Sequence, residues 1–151
     1  MAENNTKKCV LDFIAAFYAG NIAAAEQCCD NALTSLTYAP VEIFPHHGLK
    51  EGKMWLAQAV RIQHERYSAR NYTIQSMVVD DNKAATMVEA RLTKHADQRV
   101  LQFMIAEFFT LRDGLILEHR AFFDSLDFIQ QLLGCDLTAG LASQVNFAMR
   151  S

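Results

Sequence analysis

Proline is scarce, with two in 151 residues, and glycine is limited to six. That scarcity excludes collagen-like chains and proline-rich linkers. No run of about 18 consecutive apolar residues exists, so no membrane-spanning helix is expected. The first residues, Met1 to Lys8, are polar and lack the apolar stretch of a secretion signal. Lys and Arg form no block and the formal net charge is -3, which leaves no electrostatic footprint for nucleic acid. Of the four cysteines, Cys28 and Cys29 are vicinal, while Cys9 and Cys135 stand alone. Without a C-x-x-C pair or Cys/His ligand spacing, neither a metal site nor a disulfide framework is expected. Reduced thiols acting as small apolar fillers, in a cytoplasmic protein, fit best. A Gly-rich phosphate loop, a serine-nucleophile motif and H-E-x-x-H are also missing, so no cofactor is implied.

What the chain does have is apolar residues, 51% against 21% charged. Its length suits a single domain over residues 1–151, with 135–151 as a nearly uncharged tail that packs on a partner or frays. Val10, Phe13, Ile14 and Phe17 follow the spacing of one buried helix face. Asn5 or Thr6 can cap the start of that helix and Gly20 can end it. Asn21 can cap a short second helix reaching about Cys29. Leu33 to Ala39 reads as a strand and Pro40 to Gly48 as a loop. Helical spacing returns from about Lys50 to Tyr67, through Trp55, Leu56, Ala59, Val60 and Gln63.

After residue 70 the period becomes two. Tyr72 to Val79, Ala84 to Lys94, Val100 to Leu111 and Leu115 to Phe123 are strand candidates separated by short turns. Consecutive antiparallel hairpins are therefore expected. Asp124 or Ser125 can cap a closing helix that carries Phe128, Ile129, Leu132 and Leu133 and ends at Gly134. The expected fold class is α+β: N-terminal helices packed in a strongly curved mixed or antiparallel sheet.

Both sheet faces read as largely apolar. Helices can cover one, and the other then calls for a second copy, a homodimer through the sheet. On the odd positions Glu89, Arg91, Glu107 and His119 interrupt an apolar set that includes Phe103, Ile105, Phe109 and Phe123. A three-residue loop, Arg112-Asp113-Gly114, would place Leu111 opposite Leu115 and hence Glu107 opposite His119. Opposed side chains lie about 4.5–5.5 Å apart at Cβ, close enough for an acid/base pair. Two readings stand side by side. In one, Glu107, His119 and Arg91 serve a pocket; in the other they satisfy one another as structural ion pairs. Tyr18, Tyr38 and Trp55 are candidate cavity aromatics, or else core and rim residues. His46-His47 reads as loop, the stretch Arg61 to Arg66 with His64 as a solvated helix face, and His95 as part of a turn.

Phe13-Ile14-Ala15-Ala16-Phe17-Tyr18-Ala19-Gly20-Asn21 resembles the first helix and turn of the nuclear-transport-factor-like superfamily, in its SnoaL-like and ketosteroid-isomerase-like branch. Gly48 with the helix after it, and Asp113-Gly114-Leu115-Ile116-Leu117-Glu118-His119 through Phe123-Asp124, resemble its middle and final elements. The resemblance covers roughly residues 7 to 133. It implies a cone-shaped fold that hosts isomerases, cyclases, epoxide hydrolases, dehydratases and non-catalytic binders. Ketosteroid isomerases carry a Tyr where this chain has Phe13, and a base Asp where it has Leu36 or Tyr38. Their second Asp matches Glu107. Limonene-epoxide-hydrolase-like proteins use an Arg, matched by Arg91, with two Asp whose positions hold Thr93 and Ala121. Neither mechanism is therefore expected here as such. The family's parity implies that Arg91, Glu107, His119 and Phe123 face the cavity.

The expectation is a protein that binds a small hydrophobic molecule, an isomerase, cyclase or dehydratase acting on a carbonyl compound. Glu107 would handle the proton, His119 would tune or relay it, and Arg91 would stabilise negative charge. Phe13, Tyr18, Tyr38, Trp55, Phe103, Ile105 and Phe123 would bind the ligand, with no metal. The alternative is a non-catalytic binding or dimerisation module of the same fold. That alternative predicts a closed ion-pair network with no free volume beside it.

Overall fold

A computed structural model describes residues 2–151. Its elements run α1 (Ala2–Ala19), α2 (Ile22–Gln27), β1 (Cys29–Tyr38), β2 (Gly48–Glu51), α3 (Lys53–Arg66), β3 (Tyr67–Asp80), β4 (Lys83–Lys94), β5 (Val100–Arg112), β6 (Leu115–Phe123), α4 (Ser125–Leu133) and α5 (Thr138–Arg150). The strands form one six-stranded mixed sheet in the order β2-β1-β6-β5-β4-β3. Only the β1–β6 pairing is parallel. This is the expected α+β architecture, with α1, α3 and α4 held against the sheet.

Local chemistry sets the element ends. The α1 helix starts earlier than the expected caps at Asn5 or Thr6; Thr6 is buried inside it and donates to the Asp81 carbonyl at 2.7 Å. At the other end Gly20 adopts φ +78°. There Arg70 donates to the carbonyls of Tyr18 (3.0 Å) and Tyr67 (2.8 Å), satisfying an acceptor the helix leaves open. Asn21 caps α2 by accepting from the Ala24 amide, and Asp124 caps α4 by accepting from the Asp127 amide. Val10, Phe13 and Ile14 are buried against the sheet, as their spacing requires.

Two elements were not expected from the sequence. The β2 strand occupies the end of the expected loop and the start of the expected helix; four residues at a sheet edge are too few to display a period. The tail forms α5, none of whose residues is buried.

The last hairpin differs from the expected register. Asp113 (φ 52°) and Gly114 (φ 78°) make a two-residue turn between Arg112 and Leu115, in place of a three-residue loop. A bulge next to Thr110 then shifts the pairing, so that Phe109 faces His119 and Glu107 faces Ala121. The total offset is two residues, which preserves the side each residue faces.

The β4–β5 pairing corrects a second expectation. Thr86 pairs with Glu107 and Ala84 with Phe109, so even residues of β4 share a face with odd residues of β5. Ala84, Thr86, Val88, Ala90 and Leu92 are buried beneath the helices. Arg91, paired with Gln102, lies on the outer face.

Candidate active site

The sheet and the helices over it enclose a cavity of about 580 Å³. Phe13, Tyr18, Trp55, Phe103, Ile105, Phe123 and Phe128 supply much of its wall, and Glu107 and His119 also line it. An apolar chamber with a few convergent polar groups is the usual form of a small-molecule site.

The polar groups form one hydrogen-bonded chain across three adjacent strands. Ser35 on β1 is the direct neighbour of His119 on β6. Its Oγ is 2.8 Å from His119 Nδ1, and His119 Nε2 is 2.6 Å from Glu107 Oε2 on β5. All three residues are buried. An ionised Glu107 can only accept, so Nε2 carries a proton and donates to it. Nδ1 then accepts from the Ser35 hydroxyl when the ring is neutral and donates to it when the ring is charged. The arrangement can therefore hold a proton on the imidazole in either state. Phe13 and Phe109 flank the ring, at centroid distances of 6.0 and 5.1 Å. Tyr18 belongs to the same enclosure: burial pushes its phenol pKa up, helped by the charge of Glu107 and by Tyr72.

The mouth is more polar. His46, His47, Glu65, Arg66, Lys94 and His95 line it together with Leu132 from the last turn of α4. The Trp55 indole donates to the His46 carbonyl at 3.3 Å, tying α3 to this loop. Burial, then the charges of His46, Arg66 and Lys50, lower the His47 pKa to about 4. His46 is lowered in the same direction, by burial and then by Arg66 and Lys50. His47 is thus a neutral ring at pH 7. It stacks on Phe44 at 5.3 Å, and its Nδ1 is buried without a hydrogen-bond partner.

Of the candidate residues, Glu107, His119, Phe13, Tyr18, Trp55, Phe103, Ile105 and Phe123 all meet at this one cavity. Two do not. Arg91 is exposed on the outer face, bound to Glu89 at 2.6 Å as an ordinary same-strand ion pair. The expected parity fails for it because pairing across β4 and β5 joins even to odd positions. Tyr38 is also on the outer face, exposed and stacked on Phe122 at 4.1 Å. Its strand alternates with Leu33, Ser35 and Thr37 turned inward, which puts Tyr38 outward.

On sequence alone Ser35 has no role, His46-His47 reads as loop and Arg66 as part of a solvated helix face, whereas His46, His47 and Arg66 line the cavity. For Ser35 a signal existed: it sits at a buried step of an alternating strand, where an unpartnered hydroxyl is costly. The mouth residues lie on a loop and at a helix end, where spacing carries no such signal. Among the described residues, no three His, Cys, Asp or Glu side chains gather as metal ligands would. No described helix is long and apolar enough to cross a membrane.

Comparison with known proteins gives a consistent frame. The SnoaL-like domain family model matches residues 10–119. Among solved structures, a protein from Rhodopseudomonas palustris provisionally named an isomerase superposes with a TM-score of 0.77 at 22% identity, covering 89% of this chain and 99% of that one. An NTF2-like protein of unknown function from Burkholderia pseudomallei gives 0.75 at 12% identity, covering 84% and 96%. An LEH-like epoxide hydrolase from M. tuberculosis gives 0.70 at 18% identity, covering 94% and 99%. At such identities the likeness is one of fold. No curated protein matches the chain.

Proposed function

Because the chain belongs to the SnoaL-like family, within the NTF2-like superfamily, we propose that it binds a small hydrophobic carbonyl compound and performs acid/base chemistry on it. Isomerisation, cyclisation and dehydration are the reactions that two such groups can promote beside a carbonyl. The observation that carries the reading is the Ser35–His119–Glu107 chain opening onto a cavity of about 580 Å³. Glu107 takes or gives the proton. His119 orients the Glu107 carboxyl through its 2.6 Å hydrogen bond, and Ser35 holds the ring. Arg91 has no part in this reading, because it lies on the far side of the sheet. The test is a panel of hydrophobic ketones and polyketide-like compounds followed by mass spectrometry. Wild type should convert at least one of them, and Glu107→Gln and His119→Ala should abolish that turnover. Turnover that survives both substitutions would remove these residues from the mechanism.

The rival reading, a binding module without catalysis, requires the polar groups to be packed shut. Free volume beside Glu107 and His119 argues against that form of it.

Two further expectations belong to the same reading. We place the protein in the cytoplasm, consistent with its four free thiols. We also propose a homodimer through the outer sheet face, where Met87, Met104, Phe108 and Phe122 are exposed apolar side chains. Light scattering should give twice the chain mass for wild type and one chain mass for Phe108→Glu. A monomeric wild type rules the dimer out.

A further inference from the structure

The cavity has two chemically different ends. Around the Glu107–His119 pair its wall is mostly aromatic and aliphatic, with Tyr18, Thr37 and Gln63 as further polar side chains. Its mouth carries the cations Arg66 and Lys94 and one carboxylate, Glu65. Lys94 is already engaged, by Asp97 at 3.0 Å and by the Leu132 carbonyl at 3.3 Å. Arg66 is not: among the described residues its guanidinium makes no ion pair and no side-chain hydrogen bond. Burial is the main cause that holds His46 and His47 toward the neutral form, and the positive charges of Arg66 and Lys50 add to it. A five-donor guanidinium standing free at the rim of an apolar chamber suits an oxyanion that offers it two acceptor oxygens.

We propose that the ligand is an amphipathic anion, with an aromatic or alicyclic body in the chamber and a carboxylate or similar acidic group held at the mouth by Arg66. This rests on the reading of the cavity as a small-molecule site and narrows its substrate class. Pairing of the acidic group at the rim fixes which end of the molecule enters first. The end remote from the acid is then presented to Glu107, so the reacting carbonyl lies at that end. His46 and His47, being neutral, pack against the ligand as aromatic surface, while Arg66 supplies the charge.

The probes are 8-anilinonaphthalene-1-sulfonate and N-phenyl-1-naphthylamine, which share an aromatic body and differ in the anionic group. Binding is read from quenching of Trp55, the chain's single tryptophan, which lines the cavity. Competition between the probes confirms a shared site. Wild type should bind the sulfonate about three- to tenfold more tightly than the neutral amine. Arg66→Gln should erase that difference while leaving the amine unchanged. Glu65→Gln should tighten the sulfonate alone, and Arg61→Gln, on the same helix but outside the cavity lining, should change neither.

Equal binding of the two probes to wild type, or an equal loss of both in Arg66→Gln, overturns the anion assignment and leaves the cavity reading standing. Failure of both probes to quench Trp55 overturns the cavity reading and this proposal with it. Since Arg66 is exposed, the variant is expected to fold, which far-ultraviolet circular dichroism verifies.

Discussion

His119 Nε2 lies 2.6 Å from Glu107 Oε2 although the two residues are not cross-strand partners. His119 is opposite Phe109 and Glu107 is opposite Ala121, so the contact is a diagonal one across β5 and β6. Long side chains bridge such diagonals readily. Ala121 has an architectural consequence here: a small residue opposite Glu107 leaves room for the imidazole to reach over, and both residues then meet the cavity.

The energetics of that pair give a first prediction. Removing one partner of a buried hydrogen bond costs about 1–3 kcal/mol, and more when the group left behind is charged, because that group is left unsatisfied. Glu107→Ala should therefore lower unfolding stability by about 3 kcal/mol in urea titration. Glu107→Gln keeps an acceptor for Nε2–H and should lose about 1 kcal/mol. Equal losses from the two variants would mean that the hydrogen bond contributes little.

A second prediction concerns pH. The folded pKa of His47, about 4, lies below its unfolded value of 6.5. Between those values the unfolded chain binds a proton at this site and the folded chain does not, so stability falls as pH falls. The contribution is complete above pH 6.5 and disappears through the window down to about 4. Allowing for the ring's remaining solvent contact, its size is roughly 1–2 kcal/mol. His47→Phe, which keeps the stack on Phe44, should flatten the urea-derived stability profile across that window. An unchanged slope would show that His47 titrates normally.

Arg91 supplies a third test, in which little should change. Its only side-chain partner among the described residues is Glu89, on the outer face and half exposed. Such pairs contribute about 0–1 kcal/mol. Arg91→Ala should leave stability within about 1 kcal/mol of wild type and should not alter ligand affinity in the cavity. A loss of binding measured by Trp55 quenching would contradict the outward placement of this side chain.

The contrast between Arg91 and Glu107 shows what could be read from the sequence. Helix faces, caps at Asn21 and Asp124, and the four long strands of the second half follow from period and turn chemistry, which are local. Glu107 and His119 fall on one face of β5 and β6 in either register, because the bulge and the shorter turn together displace the pairing by two residues. The face taken by Arg91 depends instead on the β4–β5 register. That register is set across the His95 to Gln98 connection, where the length and type of the turn decide whether odd meets odd or odd meets even. Tyr38 is a different case, since the alternation of Leu33, Ser35 and Thr37 along its own strand turns it outward whatever the register. The mouth escaped notice for another reason: His46, His47, Arg66 and Lys94 come from separate elements and converge only in three dimensions.

The most direct measurement of the central claim is hydrogen–deuterium exchange at the carbon next to the carbonyl of a hydrophobic ketone such as 2-tetralone, followed by proton NMR in D₂O. It reports proton abstraction alone, without requiring that the natural product be known. Wild type should accelerate the exchange above buffer, by about 100-fold or more for a positioned base, with Glu107→Gln reduced to the buffer rate. Exchange at the buffer rate with wild type, in a ketone shown to occupy the cavity, would contradict the assignment of Glu107 as the proton-transfer group.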